Sequence, residues 1–318
     1  MASFFSKVTT KVSNKLGIDT GPEPTATKQR ADSLVTALGT EALFTKTRPE
    51  VDGPECEHDC ESCTIRLPRK WSIDEEDKLY GFVKGWSRHL LVATGKTDWV
   101  RDVEEEQGSV MEAVGKHGND VTGEGPYGPD RPTTVLLLPV FKWCDNVTPN
   151  HVPELISSVI NNAPTNTNQP STSRTDAALP AGLSLRNCGH TAIILLCSQA
   201  TRDARCGQSA PLLRKELERH LRPLGLYRDL HDERPGGVGI YFISHVGGHK
   251  YSANMMVYRK GDSSASSKGE ASQCIWLARI RPEDCENIVR YTVLQGKVVK
   301  PERQLRGGFD RDRGIVSW

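Results

Sequence analysis

Apolar positions in the second half of the chain fall into two periods. Four nearly unbroken apolar runs, HTAIILLCS (190–198), GVGIYFIS (237–244), ANMMVYRK (253–260) and CIWLARI (274–280), are bounded by glycine or polar residues and have strand length. Two other stretches carry helical spacing. In APLLRKELERHLRPLG (210–225), Leu213, Leu217 and Leu221 line one face and Gly225 ends the run. PEDCENIVRYTVLQG (282–296) opens with proline in the first turn and closes on glycine. The predicted order is β-α-β-β-β-α, with GDSSASSKGEAS (261–272) as a hairpin loop. The first two of these strands are expected side by side and parallel, joined by a right-handed crossover.

The first half gives a second α/β segment. Leu79, Val83, Trp86 and Leu90 recur at helical spacing, and DWVRDVEEEQGSVMEAVGKHG predicts a helix capped by Asp98 and stopped at Lys-His-Gly. TTVLLLPVF (133–141) predicts an interior strand and PELISSVI (153–160) a short helix. Residues 161–182 are rich in Asn, Thr, Ser and Pro and predict a linker. The expected organisation is a flexible N-terminal tail (1–50), a small α/β domain (51–160), the linker (161–182), a second α/β domain (183–300) and a C-terminal tail (301–318). Phe5, Val8, Val12 and Leu16 form a stripe in an acid-free, lysine-bearing opening. A mitochondrial transit peptide would favour arginine, which this stretch lacks, so a plain tail is preferred.

Composition narrows the function classes. With 41 basic and 40 acidic residues, nothing marks a general nucleic-acid binder. No apolar run approaches the roughly 20 residues of a membrane-crossing helix. Nine cysteines follow no secretory signal, which favours a reducing compartment and metal or redox roles over disulfides. Cys144, Cys188, Cys274 and Cys285 are expected to be structural. No Gly-x-Ser-x-Gly, phosphate loop or dinucleotide fingerprint occurs, so no hydrolytic constellation stands out.

His245-Val-Gly-Gly-His249 leaves the end of an apolar strand. Two central glycines disfavour a helix and permit a tight loop that curls both imidazoles toward one point. Cys197 ends the first strand, and Cys206 lies in the loop before the next helix. Loops at the carboxyl ends of parallel strands share one sheet edge, so two thiolates and two imidazoles can converge there. That donor set suits either tetrahedral zinc or a [2Fe–2S] cluster.

These features resemble the sucrase/ferredoxin-like family, within the thioredoxin-like ferredoxins. The resemblance rests on the Cys197-x8-Cys206 spacing, HVGGHKYSAN, IWLARIRPEDC, the LRGG run and the terminal Trp, and covers most of residues 56–318. It implies a thioredoxin-like fold and a [2Fe–2S] cluster held by Cys197, Cys206, His245 and His249, with histidine standing where the family usually has Cys-x3-Cys. It further implies a cytoplasmic electron carrier, a mitochondrial one being the alternative. Trp318 would be read by the cytosolic iron–sulfur assembly targeting complex, or else would pack back on the domain. The competing functions are an oxidoreductase acting on small redox-active compounds, and an interaction protein linked to actin organisation.

Two other motifs compete. Cys188-Gly-His190 matches half of a Rieske pairing, but no Cys-x2-His completes it, and His190 opens its strand at the end opposite Cys197. Cys56-x3-Cys60-x2-Cys63 has radical-enzyme spacing without the repeated β/α units of a barrel; zinc, a second cluster or ordinary loop cysteines are its readings.

Overall fold

In a computed structural model the chain is described over residues 5–8, 35–116, 131–170, 179–232, 234–261 and 269–318. The expected features on residues 9–34, most of the 261–272 hairpin loop and part of the 161–182 linker lie outside the described residues.

The fold is mixed α/β, built on two sheets. The first contains β1 (Phe5–Val8), β3 (His89–Ala93), β4 (Thr133–Leu138), β5 (Lys142–Val147) and β6 (Ser184–Asn187), in that order and antiparallel throughout. The second contains β2 (Val35–Thr36), β7 (Ala192–Cys197), β8 (Tyr227–Arg228), β9 (Val238–Ile243), β10 (Met255–Lys260), β11 (Ala271–Leu277), β12 (Leu305–Asp310) and β13 (Ile315–Val316). Its order is β2-β13-β12-β11-β10-β7-β9-β8. β7 pairs parallel with β9, while β10 and β11 run antiparallel. The longest helix, α3 (Ala204–Leu221), supplies the crossover between β7 and β9. The order β-α-β-β-β-α expected for the second half is present with one addition, the two-residue strand β8 between α3 and β9, and is closed by helical turns over 282–293, here α4.

Strand alternation explains the layering. Along β7, Ile194 and Leu196 join Leu213 and Leu217 of α3 and Ile288 and Val289 of α4 in one core. Ile193, Leu195 and Cys197 point the other way and meet Leu91, Leu136, Leu138 and Trp143 of the first sheet. The opposite face of that sheet, Leu90, Val92, Val135 and Leu137, packs on α1 (Val110–Gly115) and on α2, residues 152–160. β7 is buried at every position, so it is apolar on both faces and loses the polar alternation of a half-exposed strand.

Several local expectations are corrected. Residues 79–88 do not form a helix: Leu79 and Trp86 are buried from an irregular segment, and Leu90 lies inside β3. The helix expected from Asp98 begins at Val110, capped by Ser109, whose side chain accepts from Glu112 N–H. Asp98 instead accepts from the backbone and hydroxyl of Thr201. α3 starts six residues before the expected 210: Asp203 caps it by accepting from Arg205 N–H, and Pro211 is carried inside the helix. The segment expected as a C-terminal tail instead supplies β12, buried along its length between β11 and β13. A Cβ at Gly308 would collide with the Cys274 carbonyl, so glycine there lets β12 lie against β11.

Arg311 ties the end of β12 to its surroundings. Its side chain is fully buried, bonds Glu270 at 2.7 Å, and donates to the carbonyls of Asn168 and Ala271. Truncating one partner of a buried ion pair strands the other charge. Glu270→Ala is therefore expected to cost about 3–5 kcal/mol in urea unfolding; a loss under about 1 kcal/mol would mean the pair behaves like a surface bridge.

Candidate functional site

The site forms where β7 and β9 end together. The parallel register sets Cys197 beside Ile243, so the chain leaving β7 and the chain leaving β9 emerge at one edge. Cys206 lies in the first turn of α3, one turn into the crossover and not in the loop before it. The loop after β9 then turns through Gly247 (φ +84°) and Gly248 (φ +68°), left-handed angles that strain any other residue. A Cβ at Gly248 would also meet the Arg306 guanidinium at 2.6 Å.

The four residues singled out from the sequence are gathered at this edge. Cys197 and Cys206 shift each other's titration in opposite directions, and His245 lowers that of Cys206. His245 Nε2 and His249 Nδ1 are 3.5 Å apart, with ring centroids 5.1 Å apart. Cys197 and Cys206 are buried, whereas the two histidines are half-buried.

The electrostatics split the two thiols. Cys197 keeps its proton because it donates to Cys206 and because burial disfavours its anion, so its pKa is pushed well up. Cys206 is held below the usual thiol range, first by that bond from Cys197 and then, against burial, by His245 and Ser252. Ser252 Oγ lies 3.3 Å from Cys206 Sγ. The helix N-terminus adds positive potential near Cys206.

Several supporting residues went unread in the sequence. Gln199 Oε1 accepts from His245 N–H at 2.7 Å, while its amide donates to the Val100 and Arg101 carbonyls. This ties the histidine loop to the segment after β3. Arg306, in the LRGG run, is buried; it donates to Gly247 O and Asn254 Oδ1 at 2.8 Å each and stacks on Trp276 at 4.4 Å. Burial lowers its pKa to about 10, which leaves it cationic at neutral pH and near Cys197. An arginine followed by paired glycines was the signal available for it.

The surroundings suit a metal or cluster held by sulfur and nitrogen. Backbone N–H groups of Gln199 and Val246 favour the Cys197 thiolate, as a ligand would require. His245 Nδ1 is a buried ring nitrogen with no hydrogen-bond partner among the described residues. Such an orphan is costly unless something occupies it.

The other candidates fall elsewhere. His190 is buried, 2.8 Å from the Tyr241 hydroxyl, and burial lowers its pKa to about 4. All nine cysteines are free and buried, Cys144, Cys188, Cys274 and Cys285 among them. Trp318 packs back: its indole stacks on Trp86 at 4.9 Å and meets Phe309 edge-on.

A family model described as Sucrase/ferredoxin-like matches residues 79–307. Actin patches distal protein 1 of Saccharomyces cerevisiae is 28% identical over 256 residues, 73% of this chain and 77% of that one. Altered inheritance of mitochondria protein 32 is 33% identical over 111 residues in Clavispora lusitaniae (35% of this chain, 33% of that protein). In Debaryomyces hansenii it is 35% identical over 108 residues (34% and 33%). No solved structure matches the chain.

The shared proton makes a prediction for metal-free protein. Thiolate ultraviolet absorbance should already be present at neutral pH and should vanish in Cys206→Ser. Cys197→Ala removes the donor, so the Cys206 titration should move upward and the absorbance at neutral pH should fall. An unchanged titration in Cys197→Ala would contradict the shared proton.

Proposed function

This chain belongs to the sucrase/ferredoxin-like family, and from that membership we propose that it is a [2Fe–2S] redox protein of the cytosol. Its second half would be a thioredoxin-like ferredoxin domain, and Cys197, Cys206, His245 and His249 would be the ligands. The observation that carries the reading is the gathering at one sheet edge of Cys197 at the end of β7, Cys206 in the first turn of α3, and the His245–His249 pair with ring nitrogens 3.5 Å apart. The two thiols pair first and the two imidazoles pair second, which matches one iron held by both cysteines and the other by both histidines.

The spacing also favours two irons over one zinc. Donor atoms on a single tetrahedral zinc stand at about 2.0–2.3 Å from it, so they crowd within about 4 Å of one another. Among the described residues, the group of three donor types meeting within 4.8 Å is Cys60–Glu216–His220, away from this edge. No three donors of Cys197, Cys206, His245 and His249 meet within that distance, so the arrangement does not single out one tetrahedral ion.

Bound there, the cluster would supply one-electron transfer. The protein's own residues set its conditions. Two thiolates and two neutral imidazoles make the donor set about two charges less negative than four thiolates, which favours accepting an electron. Arg306 adds a buried positive charge on the same side. The N–H groups of Gln199 and Val246 spread negative charge off Cys197. Each ligating imidazole keeps a second N–H, and His249 lies in the half-buried part of the loop where that proton can reach solvent. Losing it is easier from the oxidised state, so proton and electron would travel together. The partners are then an electron donor and an acceptor, together with the cytosolic iron–sulfur assembly targeting complex. To serve as that complex's handle, Trp318 would have to leave Trp86 and Phe309.

Purified protein should be red-brown, with an electron paramagnetic resonance signal on reduction; colourless protein retaining metal would sink the reading in favour of zinc. The midpoint potential should fall with rising pH by up to about 59 mV per unit for one proton per electron. A potential flat from about pH 6 to 10 would remove the proton coupling. The double variant His245→Cys/His249→Cys should lower the potential by on the order of 100 mV or more, following the direction seen between all-cysteine and part-histidine clusters.

A further inference from the structure

We propose a second metal site, for a zinc-like divalent ion, held by Cys60, Glu216 and His220 with Cys63 as the fourth donor. It is independent of the cluster reading. Cys60 and Cys63 form a tight Cys-x2-Cys turn, closed by a 3.2 Å bond from Cys63 N–H to the Cys60 carbonyl and anchored by Cys60 N–H on the Glu283 carbonyl. Glu216 and His220 stand one turn apart on α3, on the face that meets this turn. Cys60 Sγ is 3.9 Å from His220 Nε2, which is 3.2 Å from Glu216 Oε1. The three donor atoms lie within 4.8 Å of one another. The Cys63 thiol is buried on the same turn and is the second sulfur of the Cys-x2-Cys pair.

A second observation marks where a cation belongs. One nitrogen of Arg219, Nη2, touches all three donors: Cys60 Sγ at 3.3 Å, Glu216 Oε1 at 2.5 Å and His220 Nε2 at 3.0 Å. The Arg219 side chain is 43% exposed and can turn out to solvent, whereas the Glu216 side chain is 1% exposed and cannot. A buried carboxylate needs a cation, and here the position of that cation is shared by the Cys60 sulfur and an imidazole.

The donor chemistry selects the metal. Two sulfurs, one imidazole nitrogen and one carboxylate oxygen suit tetrahedral zinc, with two residues supplied by successive turns of a helix. Glu55, Glu57, Asp59 and Glu61 surround the turn, a setting that favours a cation and opposes an anionic cluster. Loading would displace Arg219 and release the thiol protons of Cys60 and Cys63 to solvent. The ion would staple the turn at 60–63 to α3, the helix whose first turn carries Cys206.

The test uses the full chain with its iron. Zinc affinity is measured by competition with a chromophoric chelator, and zinc and iron are counted by mass spectrometry. Wild type should hold about one zinc per chain beside its iron. Cys60→Ser and His220→Ala should each weaken zinc at least tenfold with iron unchanged. Arg219→Met should tighten zinc, because the competing guanidinium is gone; this variant keeps the proposal testable if the cysteine variants misfold. Zinc that is absent from wild type, that binds Cys60→Ser equally well, or that is indifferent to Arg219→Met would overturn the site. Failure of the cluster reading would show instead in the iron count and leave this zinc in place.

Discussion

The parallel pairing of β7 with β9 is the constraint on which the site depends. Its register puts Cys197 beside Ile243, so two chain segments leave the sheet at the same edge and in the same direction. The crossover between them is α3, whose first turn returns Cys206 to that edge. Gly247 and Gly248 then bend the other exit so that the two imidazoles come together at that edge. An antiparallel pairing would send one of these segments to the opposite end of the sheet.

Burial supplies the second half of the account. Both faces of the second sheet are covered, by helices on one side and by the first sheet on the other. Charges kept inside such a sandwich must be answered. Arg311 answers Glu270 at one end, and Arg306 stands among carbonyls near Cys197 at the other. The thiol pair obeys the same rule by sharing a single proton. A site that binds metal gives that proton up, which couples the chemistry of the edge to its surroundings.

Much of this was legible in the sequence, and the exceptions have physical causes. The apolar runs of β7, β9 and β10 were plain because burial on both faces leaves no polar positions. The His-Val-Gly-Gly-His loop was legible because paired glycines have a strong conformational meaning. The start of α3 was missed because its leucine stripe begins only at Leu213, although Asp203 caps the helix earlier. Leu79, Trp86 and Leu90 matched helical spacing by coincidence; Leu79 and Trp86 are buried from an irregular segment and Leu90 from β3. β12 was hidden because its glycines suggest a tail, whereas they serve the close approach to β11. Arg306 was beyond local reading, since its partners Gly247 and Asn254 are more than 50 residues away in sequence.

The central claim is that two sulfurs and two nitrogens of this edge meet at one metal centre. The most direct measurement is electron–nuclear double resonance on the reduced protein, with histidine labelled by nitrogen-15. The account predicts two nitrogens strongly coupled to the unpaired electron, one lost on replacing His245 and the other on replacing His249. A reduced centre without nitrogen coupling, or with coupling that survives both replacements, would contradict it.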